Sequence, residues 1–390
     1  MIAGMRRSLA TVAVVLLILV GGVALLYVAR ALMPATPVTA SPSPTPSVGV
    51  AGATPTTSAP APSSSSNPVS AALPGAERFA VIVDKPCAPP GTPPYVRRED
   101  RSQVIAPLGS GYLCQLNGAV SPDGRRLAYW HFESAGNSEL ALYQAGASSS
   151  TIIRLGDEFL SNVVWSADGT GLLFVAMKGG VQGVAPEYAA LRTLDLASGS
   201  IQELTRVSGR YLAALAWDRP NRVTAAAETP ASGGAGAYLV ITEARAIKRN
   251  EMPARLILGR ASPDATLMMA VSQPDGVIRY WPLANFDDQK ELRPAAGSGA
   301  GIAAWRPGAR ELAVVVTTPP GSQAVELWSL DGTRKRLTEF SGQRGGLFFR
   351  PDGSALFIGG GAGVDVASGR VVQFTLAQGE GLAASMLASP

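Results

Sequence analysis

Short apolar runs recur along this chain, and each follows the same kind of turn. Ser121-Pro122-Asp123-Gly124 opens into RRLAYW, and Ser166-Ala167-Asp168-Gly169 leads to LLFVA. Asp218-Arg219-Pro220-Asn221, Ser262-Pro263-Asp264-Ala265, Arg306-Pro307-Gly308-Ala309 and Arg350-Pro351-Asp352-Gly353 are each followed by another such run. Pro presets φ at the second turn position, Asp bonds nearby backbone, and Gly takes the conformation a side chain resists. The residues before the turns are apolar and often bulky, as in Val164-Trp165, Ala304-Trp305 and Phe348-Phe349. Apolar runs of this length flanked by turn residues predict buried strands.

A second strand pair follows in most copies. Ala324–Leu330 turns at Asp331-Gly332, and Leu191–Leu196 turns at Ser198-Gly199. The motifs begin at 121, 166, 218, 262, 306 and 350, with spacings of 45, 52, 44, 44 and 44 residues. A period in the low forties with four strands per unit predicts an all-β propeller of four-stranded antiparallel blades. Six motifs give six units. The runs at 78–84, 94–97 and 102–107 resemble the last three strands of a unit, and 382–388 resembles a first strand. Joining the two ends completes a seventh blade and removes the ring's open edge. Seven blades are expected, with six as the alternative.

Upstream the pattern changes. Residues 1–8 carry Arg6 and Arg7 as a short cytoplasmic tail. Leu9–Ala29 is a charge-free apolar run, long enough to cross a bilayer as a helix. It predicts an uncleaved single-pass anchor with the remainder exported, because Arg6 and Arg7 outweigh Arg30. A cleaved signal peptide and a secreted product form the alternative. Residues 30–76, rich in Pro, Ser and Thr, predict a disordered tether. The folded domain is expected over 77–390.

Charge narrows the partners. Of 33 basic and 29 acidic residues, Arg6, Arg7 and Arg30 precede the first acid, Glu77. The propeller region is therefore nearly neutral, and no basic stripe points to nucleic acid. The two cysteines, Cys87 and Cys114, fall on connections expected to emerge on one face. An exported domain pairs them, so a disulfide is expected, with two free buried thiols as the alternative. No spacing of Cys and His predicts a metal site.

The Ser-Pro-Asp-Gly turns followed by apolar strands resemble the TolB-like β-propeller repeats, related to WD40-like arrays. The likeness covers roughly 78–388 and is most faithful at Ser121–Gly124, Ser166–Gly169 and Arg350–Gly353. It implies architecture rather than activity, since function follows sites and not folds.

Catalytic constellations are weak. The single histidine, His131, has Glu133 two residues on and no nucleophile in view. The runs Gly297–Gly301 and Gly359–Gly363 lack the Lys-Ser/Thr of a phosphate loop. One turn aspartate per blade places these acids around a rim, where they do not converge. The longer connections 178–186, 229–236 and 317–322 should gather on one face, where recognition is usual. Tyr112, Tyr188, Arg210 and Tyr211 are the candidate binding residues there. The sequence thus predicts a membrane-anchored, extracytoplasmic, non-catalytic module that binds an envelope protein or other macromolecule and uses no cofactor. A hydrolase or lyase in the propeller pocket is the alternative, as is a sensor for a small envelope ligand.

Overall fold

The computed structural model describes residues 73–388, apart from 85–94, 100–103, 108–117, 135–136, 146, 148–149, 181–183, 243–245, 254–255, 319–320, 341–345, 360 and 375–380. Its strands form seven four-stranded sheets, paired antiparallel throughout. We number these blades by their inner strands in chain order: Gly118–Val120, Phe159–Trp165, Arg210–Asp218, Leu256–Leu258, Gly299–Trp305, Leu347–Phe349 and Gly381–Ala388. The seventh blade joins the two ends of the chain. Gly381–Ala388 pairs with Phe79–Asp84, with Phe79 opposite Ala388 and Asp84 opposite Gly381, and Tyr95–Arg98 and Val104–Pro107 complete the sheet.

The blades pack face to face. Leu173 and Val175 of the second blade share a core cluster with Leu212, Ala226 and Leu239 of the third. Tyr238 of the third packs edge-on against Trp281 of the fourth, at 5.6 Å between ring centroids. Trp281 and Trp328 are fully buried. Burying such a side chain contributes on the order of 2–3 kcal/mol, so most of the fold's stability lies between blades. Inner strands of the sixth and seventh blades touch, as do those of the seventh and first, so the array closes into a ring.

The expected membrane anchor is corrected here. No helix among the described residues is long and apolar enough to cross a membrane. The one helix described, Ala76–Arg78, is a single 3-10 turn. The segment on which the anchor rested, residues 9–29, lies outside the described residues, as do 1–8 and 30–72. An apolar run measures the tendency to leave water, and it becomes a span only if it also forms a helix. The single-pass topology, the membrane as a partner and the membrane location are withdrawn with it. Leu73, the first described residue, sits in a cluster with Phe79, Phe348 and Phe357.

The turn motifs repay close reading. In the second blade the Ser166 hydroxyl donates to Asp168 at 2.6 Å and accepts from the Gly171 N–H at 2.9 Å. Asp168 accepts from the Thr170 N–H at 3.0 Å, and Gly169 takes φ 69°. The first and fourth blades repeat these bonds with Ser121 and Asp123, and with Ser262 and Asp264. In the fourth, Ala265 stands in the glycine's place at φ 53°.

Where Ser is replaced, the turn reaches to the next blade. Arg306 Nε donates to the Gly353 carbonyl at 3.1 Å. Arg350 is fully buried and meets Glu99 of the seventh blade through two guanidinium nitrogens, with Nε to Oε2 at 2.7 Å. Arg350 Nη1 also donates to the Pro74 carbonyl at 2.6 Å, and the guanidinium lies 5.0 Å from the centre of the Phe79 ring. The ring is thus tied shut by a buried ion pair as well as by a sheet. Tryptophans make similar ties: Trp165 Nε1 donates to the Ala119 carbonyl and Trp305 Nε1 to the Arg260 carbonyl, each across one blade boundary.

Two measurable consequences follow from the turn face. Removing one partner of a buried pair leaves the other charge uncompensated. Arg350→Met is therefore expected to cost about 3–5 kcal/mol in urea unfolding, and the double change with Glu99→Gln to recover a large part of it. The second consequence concerns acid. Burial opposes ionisation of Asp123, Asp168 and Asp264, but the serine hydroxyls and turn N–H groups outweigh it and hold their pKa values below the ordinary carboxylate range. Asp195 is lowered to about 2 by the Ser198 N–H and hydroxyl and by Arg219. Groups with depressed folded pKa values contribute their stability fully above the unfolded Asp value of about 3.9, and it is lost as pH falls through the folded values. Unfolding free energy should be flat from about pH 7 to pH 5 and decline below about pH 4, with a shallower decline in Asp168→Asn.

Candidate functional site

The face opposite the turns is formed by the starts of inner and third strands and the ends of second strands. Three of the candidate residues read from the sequence lie there, on the second and third blades. The Tyr188 hydroxyl donates to Glu158 Oε1 at 2.7 Å, and Arg206 lies 4.1 Å from the centre of the Tyr188 ring. That bond to Glu158, followed by burial, raises the phenol's pKa. Arg210 pairs with buried Glu228 at 2.5 Å, which also receives Arg249 at 2.6 Å. The Tyr211 hydroxyl donates to the Val184 carbonyl at 3.1 Å, and Val184 is 65% exposed. All three side chains already serve the fold. Tyr112, Cys87 and Cys114 lie outside the described residues. His131 belongs to the strand Arg126–Ser134, opposite Glu139 in register.

A more open site sits on the fourth blade and was missed in the sequence. Pro253, Leu256, Ser272, Gln273, Pro274, Asp275 and Arg279 line a cavity of about 520 Å³. Arg279 lies on the third strand, opposite Glu291 of the outer strand. Its guanidinium meets Glu291 at 3.2 Å and Gln289 at 3.5 Å, both long, and its Nε is buried with no partner. Glu291 is shared with Arg293. Asp275 is exposed and has no hydrogen-bond or ion-pair partner among the described residues.

The second blade shows what a satisfied version looks like. Arg192 occupies the matching place on its third strand, opposite Glu203. Glu203 and Glu158 both hold it, and Glu158 binds it through two nitrogens. These bonds, Glu158 first, raise the pKa of Arg192. Glu158 stands eight residues before its turn serine. The residue eight before Ser262 is Ala254, which brings no carboxylate. This offset is the signal that sequence reading could have used: the same arginine recurs while its acid does not. Arg279 is left with donors to spare, and spare donors beside a cavity are what a ligand needs.

A second cavity, of about 360 Å³, lies on the turn face between the fifth and sixth blades. Its charges are already paired: Arg306 with Glu311 at 2.7 Å, and Lys335 with the carbonyls of Val366 and Ala367. It offers less to a ligand. Among the described residues no group of three or more His, Cys, Asp or Glu could hold a metal ion. The turn aspartates remain in their own turns and do not converge.

No protein-family model and no curated protein matches the sequence. Solved structures do. The periplasmic gluconolactonase PpgL of Pseudomonas aeruginosa aligns at 13% identity over 80% of this chain and 99% of its own, with TM-score 0.52. A prolyl endopeptidase aligns at 13% identity over 77% of this chain and 49% of its own, also at 0.52. TolB of Acinetobacter baumannii aligns at 16% identity over 80% of this chain and 65% of its own, at 0.43. The chain thus spans about two thirds of that TolB and half of that endopeptidase. At these identities the likeness speaks to fold alone. Two of these three proteins are enzymes by name, so the propeller does not itself argue for a scaffold. No helix among the described residues supports an anchor either, and the membrane-anchored, non-catalytic scaffold is withdrawn as the leading description. The chain has a β-propeller fold, which it shares with the gluconolactonase and the endopeptidase.

Proposed function

We propose that this propeller binds a small zwitterionic ligand, an amino acid or short peptide, in the cavity over the fourth blade. The observation that carries the reading is the presence in one cavity of an under-used guanidinium, Arg279, and a carboxylate, Asp275, without a partner among the described residues. Arg279 takes the ligand carboxylate with its fork of donors, and Asp275 takes the ammonium group. Pro253, Leu256 and Pro274 offer an apolar wall to the remainder. A volume of about 520 Å³ falls within the range of small-molecule sites. Arg210 belongs to the same face, linked toward the cavity through Glu228, Arg249 and Glu251. Tyr188 and Tyr211 brace that face on the second and third blades, and in this reading the chain does no chemistry.

Hydrolysis in the same cavity is the second reading. It draws on the gluconolactonase, nearly all of whose length aligns with this chain. Asp275 is then the carboxylate that activates water.

A panel of amino acids and dipeptides tested by calorimetry on the full chain decides between the readings. The binding reading predicts saturable one-to-one binding that weakens about 10- to 100-fold in Arg279→Gln, as expected for loss of a charged hydrogen bond. Asp275→Asn should weaken amine-bearing ligands and spare their deaminated analogues. Turnover of a lactone that disappears in Asp275→Asn would favour hydrolysis. Binding that is indifferent to both changes removes the cavity from consideration.

A further inference from the structure

We propose that Gly276 is a positioning residue for the fourth-blade cavity. Through it the inner strand of the fifth blade holds the loop that presents Asp275, and so sets the cavity's preference for ligands with an ammonium group. The proposal rests on the binding reading given above and adds what makes that site selective.

Asp275 lies in the short connection between the second and third strands of the fourth blade, Leu267–Ser272 and Val277–Pro282. A loop tip is ordinarily mobile, because the sheet fixes only its two ends. This one is pinned at the residue after Asp275. The Gly276 N–H donates to the Ser272 carbonyl at 2.9 Å, and the Gly276 carbonyl accepts from the Ala300 N–H at 3.3 Å. Ala300 is a buried residue of the fifth inner strand, Gly299–Trp305. One bond closes the loop on itself, and the other ties it to the next blade.

The contact leaves no room for a side chain. Gly276 is buried and takes φ 62°, a conformation that side chains resist. A Cβ at this position would lie 2.5 Å from the Ala300 nitrogen, 2.9 Å from Gly299 Cα and 3.0 Å from the Ala300 carbonyl oxygen. All three are backbone atoms of a strand paired with Glu311–Thr318, so the loop rather than the strand would give way.

The other blades show that the repeat does not require this contact. In the corresponding connections of the third and fifth blades, Gly233, Gly234 and Gly321 also have positive φ, yet a Cβ on any of them would meet nothing within 4 Å. In the second blade, Gly179 and Gly180 would meet only Glu187 and Pro186 of their own blade. Among these glycines Gly276 alone is wedged against a neighbouring blade, and the residue before it carries the cavity's carboxylate. The exposed Asp275 side chain has no partner among the described residues, so its backbone is what places it. A carboxylate already in position spares a ligand the cost of ordering a loose loop.

The test is calorimetric titration of the full chain with leucine, glycyl-leucine and 4-methylpentanoate, which is leucine without its amino group. Gly276→Ala should weaken the two amines at least about tenfold, the scale of one charge-assisted bond, and leave 4-methylpentanoate within about twofold. In an Asp275→Asn background the same change should have no further effect on the amines, an outcome that general loosening of the blade would not give. Gly297→Ala is the control. Its φ of 77° is equally strained, but a Cβ there meets nothing within 4 Å, and amine binding should be unchanged. If Gly276→Ala fails to fold, hydrogen exchange of the wild-type protein decides. Saturating leucine should then slow exchange of the Ala300 amide at least about tenfold more than saturating 4-methylpentanoate does, since a held Asp275 and a held Gly276 favour each other. Unchanged amine affinity in Gly276→Ala, equal weakening of all three compounds, or equal exchange at Ala300 overturns the proposal and leaves the binding reading standing. Absence of leucine and glycyl-leucine binding to the wild-type protein removes both together.

Discussion

A fully buried arginine facing a fully buried glutamate is an unusual way to end a ring, and much of this propeller hangs on it. Arg350 comes from the turn of the sixth blade and Glu99 from the seventh, whose strands derive from both ends of the chain. Without closure the sheet edge of Phe79–Asp84 would be open, and the faces of the sixth and first blades would lose their cover. The pair alone need not stabilise the fold, because desolvation offsets much of the attraction. It imposes a condition instead. Both charges are satisfied only when sixth and seventh blades meet in this one arrangement, with Pro74 and Phe79 also in place. Hydrophobic packing between blades supplies the bulk of the energy, and the ion pair fixes which surfaces may meet.

The two faces of the ring divide the remaining polar groups unequally. On the turn face nearly every donor is committed, either within its own turn, as with Ser166 and Asp168, or to a neighbour, as with Arg126 and the Gly169 carbonyl at 2.7 Å. On the opposite face the second and third blades are similarly settled, through Glu158 and Glu228. The fourth blade breaks the pattern twice. Its third strand carries an arginine short of acceptors, and Arg260, two residues past its inner strand, has no side-chain partner among the described residues. A repeat protein gives each unit the same backbone, so a unit that departs from its siblings in charge alone identifies itself. The bonds of Arg279 to Glu291 and Gln289 leave its Nε without a partner.

The architecture was legible because it is written six times. Turn chemistry at Ser121, Ser166, Ser262 and Arg350 is local, and a tight reversal needs only those few residues to be recognised. Bulky residues before the turns, such as Trp165 and Trp305, announced buried inner strands correctly. The candidate site was much less legible. Tyr188, Arg210 and Tyr211 drew attention as aromatic and charged residues near loops, yet each turned out to be occupied by a partner distant in sequence. A partner 18 or 30 residues away, as for Arg210 and Tyr188, leaves no local signature. The informative comparison was between blades: Arg279 against Arg192.

Native-state hydrogen exchange of the closing sheet tests the closed ring most directly. The amides of Ala80, Val81 and Val83, which pair with Gly381–Ala388 or Tyr95–Arg98, should exchange with the same free energy and denaturant dependence as those of Leu173 and Val175 in the second blade. That result means the tail leaves the head only when the whole ring unfolds. Exchange of the closing strands through a separate, low-energy opening, with Leu173 and Val175 still protected, would show that the other blades stand without closure and would contradict it.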